Sequence, residues 1–344
     1  MNGDILSDDP LGPISMLDEA SPLVALKRCP ILITEELPPE AIKVFRRVFP
    51  EAAILPENQQ TVSGILEAAD GARAIILTVK YRLDEAFFQA LPKSVEIIAL
   101  YSSGFDHVDL AAARERRVTL INTPNILADS VADLAMALIL GAARRVLEGV
   151  DLIRSGRWAG FSPTLLLGKE MRGRVLGIFG MGNIGREVST RAQAFGMNVA
   201  YRNRTQLPRE NEGGARYVAD ERAFLEGCDI LLLAAPLTPE THKFLNAERI
   251  RWLPQGAIVV NISRGELIDD DAFLDALLNR HVAAAGLDVY TNEPAVDQRY
   301  LTTPGVLPLP HIGSATIEAR IAMAETLVDD IERILLGERP SNAL

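Results

Sequence analysis

The stretch VLGIFGMGNIG, residues 175–185, constrains this 344-residue chain more than any other. Gly180, Gly182 and Gly185 stand at G-x-G-x-x-G spacing, directly after an apolar run and directly before NIGREVSTRAQAFG, which has helical character. In a strand–turn–helix unit the first glycine permits a tight turn, the second lets the backbone approach a pyrophosphate, and the third lets helix and strand pack closely. The phosphate then sits on the helix N-terminus, where unpaired amides and the dipole favour an anion. Met181, Asn183 and Ile184 complete the turn. A glycine-rich turn alone is weak evidence; this one gains weight because further strand-like runs follow it.

Those runs belong to an alternation that covers nearly the whole chain. CPILIT, RAIILT, VEIIAL and VTLIN are short apolar or β-branched runs separated by stretches of helical character such as PPEAIKVFRRVF and LDEAFFQAL. A second series follows the glycine turn: NVAYRN, DILLLAAP, AIVVNIS, AAAGLDV and GVLPLPH. Alternation of this kind predicts an α/β fold with parallel sheets covered by helices on both faces. Between the two series, residues 126–150 read as one long helix capped by Asn125 or Asp129, and this is where one domain hands over to the next. The chain closes on a helix ending near Gly337. The length favours two cores over one. Residues 1–28 are rich in acids and prolines and read as a loosely held arm rather than a signal peptide.

Composition sets limits on partners. A net charge of −11 argues against general attraction to nucleic acid or anionic membrane, so any anion site is local. The longest apolar stretch, 127–143, contains Asp129 and Asp133 and is too short for the ~20 residues of a membrane span. Two distant cysteines, Cys29 and Cys228, give neither a disulfide framework nor metal-ligand spacing, and they fit a reducing cytoplasm.

The strand end MNVAYRNRT lacks an expected residue. About 20 residues past the first glycine, an NAD-binding unit places an acid on the ribose 2′-hydroxyl. Arg202 stands there, followed by Asn203 and Arg204. Two arginines can instead bind a 2′-phosphate through charge-assisted hydrogen bonds, so NADPH is the expected cofactor, with NADH weaker. The structural alternative is a basic turn on an acidic protein.

Three further segments put polar residues at strand ends: NISRGELID with Arg264, GLDVYTNEP with Asp288 and Glu293, and PHIGSAT with His311. Together with SSGFDHVD and GMGNIG, in this order, they resemble the D-isomer-specific 2-hydroxyacid dehydrogenases, most of all their glyoxylate/hydroxypyruvate reductases. The resemblance runs from about residue 29 to the end. It implies a flavodoxin-like substrate-binding domain, 29–124 plus 314–344, and a Rossmann dinucleotide-binding domain, 125–313, with the active site in the cleft. It also implies a homodimer built through the 126–150 helix region. Ser103 and Gly104 would give backbone amides to a substrate carboxylate, and Pro236, Ile262, Asp288, His311 and Gly313 would meet the cofactor.

The chemistry follows from residue types. Reducing a 2-keto acid needs a hydride donor, a carboxylate binder and an acid for the oxygen as charge develops on it. Arg264 can grip a carboxylate with its planar fork and still lean a donor towards the keto oxygen. His311 suits the acid, because imidazole exchanges protons near neutral pH, and Glu293 beside it would favour the imidazolium. SSG reads as a small anion nest, or as a strand-to-helix turn capped by Asp106 or Asp109. His107 reads as surface. Leu100, Tyr101, Phe105 and Lys80 are candidate pocket walls, and glyoxylate, hydroxypyruvate, pyruvate and 2-ketogluconate are all open as substrates. A formate dehydrogenase would carry Gln at 293, and a phosphoglycerate-type enzyme would prefer NAD. A dinucleotide-sensing corepressor would bind cofactor and reduce no keto acid.

Overall fold

The computed structural model describes residues 29–344; the arm expected for residues 1–28 lies outside the described residues. The chain divides into two compact units, one running up to Pro124 and resuming at Arg320–Leu344, the other Asn125–Ala319.

In the first unit, β1 (Ile31–Ile33), β2 (Ala53–Ile54), β3 (Ala74–Leu77), β4 (Ile97–Leu100) and β5 (Thr119–Ile121) form a parallel sheet in the order β2-β1-β3-β4-β5, the flavodoxin-like order. Every residue of β1, β3 and β4 is buried, which is why these runs show no polar alternation. The helix Pro39–Val48 starts on a proline, whose missing N–H costs nothing in a first turn, and buries Ala41, Ile42 and Phe45. Asp109 caps Leu110–Arg116 by accepting from the amides of Ala111 and Ala112, both at 3.0 Å. β2 escaped the sequence reading because two residues, one of them exposed, carry no pattern. After the helix Ile317–Leu335 and left-handed Gly337 (φ 78°), the chain returns to the sheet. Asp330, fully buried, accepts from the amides of Ser341 (2.6 Å) and Asn342 (3.1 Å), and Ala343 pairs antiparallel with Ile121.

In the second unit, β6 (Val175–Phe179), β7 (Asn198–Arg202), β8 (Arg216–Tyr217), β9 (Ile230–Leu233), β10 (Ala257–Asn261), β11 (Val282–Leu287) and β12 (Val306–Pro308) form a parallel sheet ordered β12-β11-β10-β9-β6-β7-β8. The order reverses between β6 and β9, the switch point at which a doubly wound sheet opens a crevice at its carboxyl edge. The expected 126–150 helix is two helices, Ala128–Ala143 and Val146–Arg154, broken where Arg145 turns left-handed (φ 53°). Neither Asn125 nor Asp129 caps the first: Leu127 takes the cap position, and Asp129 in the first turn pairs with Arg191 at 2.8 Å. This helix buries nine residues, so its apolar composition serves the core of its own unit.

Candidate active site

At the end of β6, Gly180 has φ 104°, and a Cβ there would lie 2.4 Å from the Ala235 amide, so both backbone and space require glycine. Gly182 is different. It caps the helix Asn183–Ala194, and a Cβ on it would meet no atom of the described residues within 4 Å. Nothing among the described residues demands a glycine at 182, whereas a pyrophosphate laid over the first helical turn would. The turn therefore fits a dinucleotide. It is braced to β7, since Gly180 donates to the Arg202 carbonyl (3.1 Å) and Met181 donates to Asn203 Oδ1 (2.7 Å). Asn183 and Ile184 occupy the first turn, and Asn183 is tied through its side-chain amide to Asn125.

The two arginines that follow β7 differ in their surroundings. Arg202 donates to the Ala219 carbonyl, and its Nε lies 3.7 Å from Glu221, while Arg204 is exposed. As sequence the two are alike; tertiary partners separate them.

Arg264, Glu293 and His311 follow β10, β11 and β12, three neighbouring strands, at one edge of the sheet. Asn261, wholly buried at the end of β10, donates to the Arg264 carbonyl (2.8 Å) and accepts from the Ser263 amide (3.1 Å), which shapes the loop that carries Arg264. Arg264 also donates to the Ser263 carbonyl at 2.8 Å. His311 Nδ1 and Glu293 Oε2 lie 2.6 Å apart, and the other Glu293 oxygen accepts from the Tyr290 amide at 2.8 Å. Burial alone raises the Glu293 pKa, but the His311 hydrogen bond and charge, the Tyr290 amide and the charge of Arg264 outweigh it, leaving the carboxyl below its usual range. An ionised Glu293 only accepts, so Nδ1 carries a hydrogen and Nε2 is the nitrogen left for exchange with a ligand.

His311 has φ 54°, a conformation rare outside glycine and asparagine. It is held there by Asp288, which is 1% exposed and accepts from the amides of Ile312 and Gly313, both at 2.8 Å. Burial raises the Asp288 pKa against the pull of those amides. Asp288 thus has both oxygens engaged in shaping the loop that follows β12. Pro236 is exposed just beyond β9, and Ile262 is buried just beyond β10, so both stand at the same carboxyl edge.

In the first unit, three consecutive carbonyls after β4 are turned inward. Ser102 O accepts from the Thr123 amide (3.0 Å), Ser103 O from Asn122 Nδ2 (2.8 Å), and Gly104 O from Ser102 Oγ (2.8 Å). Across a trans peptide the next N–H points the opposite way, so the amides of Ser103, Gly104 and Phe105 face away from these partners. Asn122 and Thr123 are missing from the sequence reading; the polar NT directly after β5 was the available signal. Leu100 belongs to the core of this unit, Tyr101 is buried and donates to the Arg320 carbonyl (2.5 Å), and Phe105 is exposed. His107, expected at the surface, is partly buried.

Residues 136–313 match the family model for the D-isomer specific 2-hydroxyacid dehydrogenase, NAD binding domain. The chain belongs to that family. Glyoxylate reductase of Thermococcus litoralis is 36% identical over 91% of this chain and 95% of its own length. Glycerate dehydrogenase of Hyphomicrobium methylovorum is 36% identical over 91% of this chain and 98% of its own. Among solved structures, NADPH-dependent glyoxylate/hydroxypyruvate reductase from Sinorhizobium meliloti, in complex with NADP and malonate, superposes with a TM-score of 0.80 at 31% identity, covering 92% of this chain and 97% of that one. This 2-hydroxyacid dehydrogenase is therefore an oxidoreductase that uses a nicotinamide dinucleotide. Among its described residues no helix is long and apolar enough to cross a membrane.

Proposed function

We propose that this dehydrogenase reduces a small 2-keto acid of the glyoxylate/hydroxypyruvate type to the D-2-hydroxy acid with NADPH in the cytoplasm, His311 serving as general acid. The observation that carries this reading is the 2.6 Å pair of His311 Nδ1 and Glu293 Oε2, with Arg264 near enough to depress the same carboxyl. In it, the unit Asn125–Ala319 holds the dinucleotide, and Ser103 and Gly104 are substrate-binding residues through their backbone amides. Bound NADPH supplies the hydride. Arg264 binds the carboxylate and offers an N–H to the keto oxygen, stabilising charge as it develops there. His311 Nε2 gives its proton to that oxygen, and Glu293 holds the ring and balances the imidazolium. In the reverse direction the same nitrogen takes the proton back.

The experiment is an initial-rate panel of glyoxylate, hydroxypyruvate, pyruvate and 2-ketogluconate against NADPH and NADH. Glyoxylate and hydroxypyruvate with NADPH should give the highest kcat/KM. Reduction of no keto acid would point to a sensor, and a clear preference for a phosphorylated keto acid with NADH would point to the phosphoglycerate type.

Cofactor choice has its own test. Hydrogen bonds to charged groups contribute about 1.5–3 kcal/mol, so an arginine on a 2′-phosphate favours NADPH by roughly 10- to 100-fold. Changing Arg202→Asp with Arg204→Ala should shrink or reverse the preference, and rising salt should weaken it in the wild type. An unchanged preference in the double variant would show that these side chains do not meet the phosphate.

We also propose that the enzyme is a homodimer. The helix Ala128–Ala143 spends its apolar side chains inside its own unit, but Val146, Ile153, Trp158, Phe161 (91% exposed) and Leu167 lie bare just after it. Exposed apolar residues concentrated in one stretch of chain favour association, and a two-fold contact would cover the same stretch on both copies. Trp158→Ser with Phe161→Ser should shift the sedimenting species from dimer to monomer; a monomeric wild type would refute the assembly.

A further inference from the structure

We propose that Glu221 tunes recognition of the cofactor's 2′-phosphate by holding Arg202 aside, so that Arg204 carries most of the discrimination. This rests on the NADPH reading and divides between the two arginines what that reading assigns to both.

The partition follows from a chain of charged groups beside β7. Arg202 Nη1 donates to the Ala219 carbonyl, and its Nε lies 3.7 Å from Glu221 Oε2. Glu221 Oε1 accepts from Arg249 Nε at 2.6 Å. Arg249 is itself fixed, donating to the Phe244 carbonyl at 3.1 Å and lying 5.0 Å from the centre of the Phe244 ring. The Glu221 carboxylate is therefore anchored from the side away from Arg202. It also begins the helix Glu221–Glu226, where the dipole stabilises an anion, behind Asp220, which caps that helix by accepting from the Ala223 amide at 2.7 Å. To turn towards a phosphate, Arg202 must give up a carbonyl and part of a carboxylate, and Glu221 would then stand unshared near a second anion.

Arg204 is less encumbered: its charge only helps to lower the Glu240 carboxyl pKa, and no carbonyl or carboxylate is hydrogen-bonded to it among the described residues. Among the described residues it has no hydrogen-bond or ion-pair partner, and it is exposed. Its position is nevertheless set, because the preceding Asn203 accepts from the Met181 amide of the glycine turn at 2.7 Å. The following segment is pinned by buried Tyr201, whose hydroxyl donates to Glu212 (2.8 Å) and accepts from the Leu207 amide (3.0 Å). A fixed backbone with an exposed guanidinium beside a pyrophosphate turn is the geometry a 2′-phosphate needs.

The test is titration calorimetry of the full chain with adenosine 2′,5′-bisphosphate and with 5′-AMP, which differ only in the 2′-phosphate. Arg204→Ala should remove roughly 10- to 100-fold of the affinity difference between the two ligands. Arg202→Ala should remove far less. Glu221→Gln should enlarge the difference by roughly 2- to 5-fold, the scale of a partly exposed ion pair, and the gain should vanish when Arg202→Ala is added. Glu221→Asp, which shortens the side chain, should act in the same direction if the glutamine variant folds poorly. A flat response to both Glu221 variants, a gain that survives Arg202→Ala, or an Arg202→Ala loss equal to that of Arg204→Ala overturns the proposal and leaves the NADPH reading intact. Equal affinity of the wild type for both ligands, with Arg204→Ala without effect, overturns the NADPH reading and the partition with it.

Discussion

Replacing His311 with glutamine should lower kcat by roughly 10²- to 10⁴-fold, the usual scale for loss of a general acid, while NADPH affinity stays close to that of the wild type. The expectation comes from the division of labour within the ring. Nδ1 is committed to Glu293 at 2.6 Å, so the only nitrogen able to exchange a proton with substrate is Nε2. Glutamine can keep a hydrogen bond to Glu293 but cannot donate a proton and recover it. The loop should survive the change, because Asp288 holds it through the amides of Ile312 and Gly313 rather than through the imidazole. Stopped-flow measurement of hydride transfer would report the loss directly, and near-normal turnover would remove His311 from the reaction. Acid pH offers a second check. The Glu293 pKa is lowered on folding, so its contribution to stability is complete above the ordinary carboxylate pKa and is lost as pH falls through the lowered one. Part of the acid-side loss of stability should therefore be missing in Glu293→Gln, and an unaltered unfolding-versus-pH curve would show that the pair does not form.

Arg264→Ala should cost roughly 10²- to 10³-fold in kcat/KM, as removal of a preorganised donor to a developing oxyanion does. Arg264→Lys should recover only part of that loss. Lysine keeps the charge and loses the fork, so it can meet the carboxylate or the keto oxygen but not both in the planar arrangement of a guanidinium. The alanine variant gives up the side chain's hydrogen bond to the Ser263 carbonyl, but Asn261 still holds the main-chain carbonyl of residue 264 in either variant. A lysine variant equal to wild type would mean that Arg264 supplies charge alone. An alanine variant equal to wild type would take the residue out of the site.

Much of this molecule is written in local sequence. The buried strands of both sheets are legible as unbroken aliphatic runs, because a strand covered on both faces needs no polar alternation, and the glycine spacing marks the turn that follows β6. Arg264, Glu293 and His311 are legible for a related reason. Each follows a strand, and a parallel sheet sends all its strand ends to one edge, so residues far apart in sequence come together without any signal of their pairing.

What the sequence could not convey is whatever depends on a distant partner. β2 and β8 are two residues long and exist only because a neighbouring strand supplies their ladder. The break at Arg144–Arg145 has no proline or glycine at it, since the nearest glycines, Gly141 and Gly149, lie inside the two helices. Asn261, Asn122 and Asp288 shape the functional loops through hydrogen bonds to main-chain groups, and their role becomes visible only once the backbone is folded. Arg202 and Arg204 are the clearest case. Two residues apart and chemically identical, they are indistinguishable as sequence, and it is Glu221, 19 positions beyond the first, that pairs with Arg202 while Arg204 stays exposed. Local sequence determines what a segment can form, through periodicity and turn chemistry. The fold decides which charges are already spent, because an ion pair depends on distance in space.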